Sequence, residues 1–121
     1  MRKIEHIGIA VKSLEASNLL FEKLFGLPPY KEEEVVSEGV KTSFFMNGPN
    51  KIELLEATNP DSPIAKFIDK KGEGIHHIAF EVEDIWAEMK RLESEDIWIR
   101  RYSSDSLKIE CKSFHTRIAD K

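Results

Sequence analysis

The chain has one cysteine, Cys111, among 121 residues, which excludes an internal disulfide and fits a reducing compartment. It has no run of Lys and Arg longer than two residues, and its net charge is −4. The concentrated basic patch of a nucleic-acid or lipid-surface binder is therefore missing. No apolar stretch approaches the roughly 20 residues of a membrane span. The start, MRKIEHIGIAV, is basic but lacks the apolar core of a signal peptide. No Ser/His/Asp arrangement is recognisable, Cys111 has no histidine at motif spacing, and Gly72 and Gly74 lack the pattern of a phosphate loop. What remains is ordinary globular composition, 40% hydrophobic and 33% charged, and the expectation of one soluble cytoplasmic domain with neither nucleic acid nor membrane as partner.

What the chain does have is a repeat. Residues 5–14 read EHIGIAVKSL and residues 76–85 read HHIAFEVEDI, so His6 falls on His77, Gly8 on Ala79, Val11 on Val82 and Ser13 on Asp84 at an offset of 71. Two copies are too few for a solenoid, and the expected organisation is a duplicated module folded into one domain over 1–121. Module one covers about 3–58, a connector 59–74, and module two about 75–118.

Each copy opens on a strand of period two, Lys3 to Val11 and Ile75 to Val82. Ser13 and Asp84 then cap helices, the first carrying Leu14, Leu20, Phe21, Leu24 and Phe25 at helical spacing. Glu33 to Ser37 and Val40 to Met46 read as strands, Asn47-Gly48 as a tight turn, and Lys51 to Ala57 as the returning partner. In PDSPIAKFI, Ser62 caps a short helix with Pro63 at its first position, and KKGEG at 70–74 reads as a flexible link. KEEEVVSEGV (31–40) reads as a solvated rim. After the second helix only Ile97 to Tyr102 and Leu107 to about Ile118 look extended, with room for two strands, or three if very short, so module two reads as incomplete. The fold class expected is α+β, with two βαβββ modules.

Alternation assigns faces. Ile7, Ile9 and Val11 share one face, as do Ile78, Phe80 and Val82, and both sets suit packing on helices. His6 and His77 then point the other way, beside the small residues Gly8 and Ala79, while His76 falls on the helix side. One strand histidine is ordinarily a satisfied structural residue. Two at equivalent repeat positions suit a shared divalent cation that needs further oxygen or nitrogen ligands. Glu53, between Ile52 and Leu54, is either such a ligand or a solvated edge residue. Lys108-Ile109-Glu110-Cys111 echoes Lys51-Ile52-Glu53-Leu54, which makes Glu110 the symmetric candidate. Its distance of 33 from His77, against 47 from His6 to Glu53, leaves a surface role open.

EHIGIAVKSLE, KIELLEATNPDSPIAKF and KGEGIHHIAFEVEDI closely resemble the methylmalonyl-CoA epimerase family of the vicinal-oxygen-chelate (glyoxalase/bleomycin-resistance) superfamily, over residues 3 to about 97. The resemblance implies two βαβββ modules whose curved mixed sheet encloses a metal. It implies ligands at His6, Glu53 and His77, an acyl-CoA substrate and a homodimer. It leaves open Co, Mn, Ni, Zn or Mg as the cation. The fourth family ligand, a glutamate on the last strand that also serves as base, has no matching phrase here. RRYSSDSLKIECKSFHTRIADK departs from the family ending, and Glu110 is the one residue available for that role. A further carboxylate of some members would fall at Thr42, where it is absent.

The function so implied is metal-dependent epimerisation of methylmalonyl-CoA by α-proton abstraction. The alternatives are a glyoxalase I-like lyase or a non-catalytic small-molecule binder of the same superfamily.

Overall fold

The computed structural model describes residues 3–96 in full and the strands 99–101, 108–111 and 116–120 by their backbone. By its contacts the chain divides into two compact units, Ile7–His76 and Met1–His6 with His77–Lys121.

Strand β1 (Lys3–Ala10) enters the first unit at Ile7 and leads into helix α1 (Leu14–Phe25). Ser13 is extended and its hydroxyl accepts from the Ala16 amide at 3.2 Å, so an orphan donor of the first turn is satisfied. The other end stops because Gly26 adopts φ 76 and donates back to the Glu22 carbonyl at 2.8 Å. Strand β2 (Lys31–Val35) follows, then a 3₁₀ turn (Val36–Glu38), β3 (Val40–Asn47) and β4 (Asn50–Ala57). Charge covers β2, whose Lys31 to Glu34 are all exposed. The expected strand at Glu33 to Ser37 is thus displaced, because Gly39 at φ 62 closes the 3₁₀ turn before β3.

Antiparallel register sorts the faces. Phe44 pairs with Glu53, Thr42 with Leu55 and Val40 with Ala57, while Phe45 pairs with Ile52 and Ser43 with Leu54. The second set lies under α1, where Val11, Leu14, Phe45 and Leu54 form a core joined by Ile9, Phe21, Phe25 and Ile52. Ile9 and Val11 therefore face a helix, as alternation requires. Leu20 and Leu24 do not, being 54% and 64% exposed. One helix turns only a single stripe inward, and Leu14, Phe21 and Phe25 already fill it.

Helix α2 (Pro63–Lys71) covers the opposite face. Its Ile64, Phe67 and Ile68 pack with Ala10, Val35, Val40, Leu55 and Ala57. Ser62 accepts from the Ile64 amide at 3.2 Å, and Pro63 occupies the first turn, where its missing N–H costs nothing. The helix continues through Lys70 and Lys71 and is capped by Gly72, so two of the five residues of the expected flexible link are helical. Two cations suit the negative end of the helix dipole, which explains why the lysines continue it. Strand β5 (Gly74–Val82) starts immediately afterwards.

The second unit takes β5 from His77 together with Lys3 to His6 of β1. Helix α3 (Ile85–Ser94) is capped by Asp84, whose Oδ1 accepts from the Trp86 and Ala87 amides at 3.0 and 3.2 Å. Ile85, Met89 and Leu92 pack on Val82. Three short strands follow, β6 (Ile99–Arg101), β7 (Lys108–Cys111) and β8 (Thr116–Asp120). Strand β8 pairs parallel to β5 and antiparallel to β7, which is antiparallel to β6. The remainder of the expected extended stretches, and His115, lie outside the described residues.

Across the chain the strands hydrogen-bond in the order β2-β3-β4-β1-β5-β8-β7-β6. The order reads alike from both ends, each module running first strand, last strand, third, second. Module two thus carries its strands in reduced form, as the three very short strands for which its sequence leaves room. Its last three have 3, 4 and 5 residues, against 5, 8 and 8 in module one. Among the described residues no helix is long and apolar enough to cross a membrane.

Candidate metal centre

Alternation along β1 and β5 buries one histidine in each strand, His6 at 8% exposure and His77 at 2%. Their neighbours Gly8 and Ala79 are buried as well and leave room beside the rings. The Nε2 atoms of His6 and His77 lie 2.9 Å apart, with ring centroids 5.0 Å apart and planes at 88°. A divalent cation binds imidazole nitrogen at about 2.1 Å, so two such ligands at a right angle stand about 3.0 Å apart. The measured spacing is therefore that of two adjacent ligands on one ion.

The third candidate, Glu53, sits on β4 opposite Phe44 and is partly buried. Glu53 belongs to the unit Ile7–His76, whereas His6 and His77 belong to the other. Two imidazoles and a carboxylate form a mixed nitrogen and oxygen set, which suits a divalent ion of intermediate softness and fits the group the sequence implies.

A carboxylate not expected from the sequence joins this cluster. Glu5 is hydrogen-bonded to Nδ1 of His6. Strict alternation sends consecutive side chains to opposite faces, so a period-two reading passes over such a contact. The available signal was the acid placed directly before the histidine in EHIG.

Other expectations resolve differently. Glu110 lies on β7, in register with Arg100 on β6 and Arg117 on β8, and its side chain lies outside the described residues. The echo between KIEL and KIEC is not an equivalence of place. KIEL belongs to β4, beside β1, whereas the strand beside β5 is β8. Thr42, where a further carboxylate was looked for, is 4% exposed and its hydroxyl donates to the Glu33 carbonyl at 3.4 Å. His76 stands apart from the cluster and meets the Phe67 ring edge-on, centroids 5.0 Å apart.

Residues 5–102 match the family described as the Glyoxalase/Bleomycin resistance protein/Dioxygenase superfamily. An ethylmalonyl-CoA/methylmalonyl-CoA epimerase of Cereibacter sphaeroides is 41% identical over 92 residues, 74% of this chain and 68% of that protein. An uncharacterized protein of Bacillus subtilis is 42% identical over 80 residues, covering 66% of this chain and 57% of its own length. The chain thus spans between 56% and 68% of the length of the curated relatives it matches. Among solved structures, Streptomyces coelicolor methylmalonyl-CoA epimerase in complex with 2-nitronate-propionyl-CoA superimposes with a TM-score of 0.86 at 26% identity, covering 100% of this chain and 98% of that one. With the repeat, the strand order and the paired histidines on the same footing, the chain belongs to the Glyoxalase/Bleomycin resistance protein/Dioxygenase superfamily, and its named relatives place it with the methylmalonyl-CoA epimerase family.

Proposed function

We propose that this chain binds an acyl-CoA thioester of the methylmalonyl type and interconverts its stereoisomers by moving the proton at the α-carbon. The observation that carries this function is the buried pair His6 and His77, whose Nε2 atoms stand 2.9 Å apart. Relatives named for epimerisation of methylmalonyl-CoA, and a similar structure holding an acyl-CoA analogue, supply the substrate class.

His6, Glu53 and His77 would hold a divalent cation, which when bound supplies a Lewis acid for the negative charge that develops on the thioester oxygen. Its identity among Co, Mn, Ni, Zn and Mg is left open by the donor set. The chain's own residues do the rest. The two buried imidazoles and Glu53 fix where the substrate oxygens must lie, so the α-carbon is presented in one orientation. Burial of His6 and His77 keeps bulk water from that side of the centre. Glu110 is assigned the proton transfer, as the carboxylate available for the family's terminal glutamate. It would take the α-proton from one face, a water on the opposite face would deliver a proton to the α-carbon, and Glu110 would release its own proton to solvent, so that the centre inverts with no net proton change.

The test is exchange. Methylmalonyl-CoA incubated with the chain and zinc(II) in deuterated water should gain deuterium at the α-carbon, and the signal should vanish in His77→Ala. Retention of the α-proton by the zinc-loaded chain, with ligand still bound, would make the protein a binder and not an epimerase.

A further inference from the structure

Resting on the metal reading above, we infer that Glu5 is a positioning residue that locks His6 in a single tautomer and presents its Nε2 lone pair to the centre. A neutral imidazole carries one proton, on Nδ1 or Nε2. The Glu5 carboxylate has only acceptor oxygens, so its hydrogen bond to His6 Nδ1 requires the proton there. His6 Nε2 is then an acceptor.

Carboxylates that hold a ligating histidine in this way fix its ring orientation as well as its tautomer. At the same step of module two Glu5 becomes His76, so the sequence does not repeat the carboxylate there.

Long-range proton–nitrogen correlation spectra of the ion-free chain read the tautomers directly. The expected pattern is Nδ1–H at His6 in the wild type, shifting toward a mixture in Glu5→Ala. Zinc(II) titration by calorimetry should show affinity falling about 10- to 100-fold in Glu5→Ala, with partial recovery in Glu5→Gln, whose amide oxygen can still accept. An Nε2–H signal at His6 in the wild type, or unchanged tautomer and affinity in both variants, would overturn the assignment. If the wild type takes up no zinc, the proposed function fails instead, and the tautomer spectra still decide the role of Glu5.

Discussion

His6 and His77, 71 positions apart in the chain, meet edge to face with their Nε2 atoms 2.9 Å apart. A purely structural pair would owe nothing to added ions. A ligand pair should make folding depend on them, since an ion that binds only the native state stabilises it by about 2.7 kcal/mol at one hundred times Kd. Zinc(II) should therefore raise the thermal midpoint of the wild type. In His6→Ala and in His77→Ala most of that rise should disappear, as differential scanning fluorimetry would show.

The proton-transfer role proposed for Glu110 can be tested apart from the ion. Glu110→Gln should bind zinc(II) as the wild type does, yet slow α-proton exchange into methylmalonyl-CoA by roughly 10²- to 10⁴-fold, the usual contribution of one acid–base group. Unchanged exchange would remove Glu110 from the mechanism and leave the ion site standing.

Two glycines allow a controlled comparison. Gly39 and Gly48 have nearly the same left-handed backbone, φ 62 and 61. A Cβ on Gly39 would meet Asn59 Nδ2 at 2.7 Å and Ser62 Cβ at 3.3 Å, whereas one on Gly48 meets nothing within 4 Å. Both alanine variants incur the left-handed penalty of about 1–2 kcal/mol. Gly39→Ala should lose more, because Ser62 caps α2 and cannot give way freely. Urea denaturation of the two variants measures the difference.

The Glu88–Arg91 pair on α3 gives a pH dependence with a definite sign. The hydrogen bond from Arg91 holds the Glu88 carboxyl below its ordinary value of 4.5. A carboxyl whose folded value is depressed adds stability above its unfolded value and loses it as the pH falls through the folded one. Glu88→Gln should thus melt below the wild type at neutral pH, and the gap should close under acid, below 4.5. The exposed guanidinium keeps the gap small, and salt should shrink it further.

Much of the fold was legible because it is written locally. Ser13, Ser62 and Asp84 announce three helix starts by chemistry that needs no tertiary context, and all three cap in the structure. The paired histidines were legible through the repeat, since period two fixes which way each ring points. What escaped depends on partners. Leu20 and Leu24 have helical spacing but lose the inward stripe to Phe21 and Phe25. The place of KIEC was misread because similar words do not fix strand order, which is set by pairing across the sheet. Glu5 was missed because its contact is with its immediate neighbour, where the alternation rule sees none.

The boundary between the two compact units cuts β1 between His6 and Ile7 and β5 between His76 and His77. On a ribosome, residues 7–76 can begin to consolidate while the chain is still being made. Lys3 to His6 have to wait, because the rest of their unit starts at His77. The ring of His6 is thus idle until its counterpart emerges, and the proposed ion site would be completed late in synthesis rather than act as its nucleus.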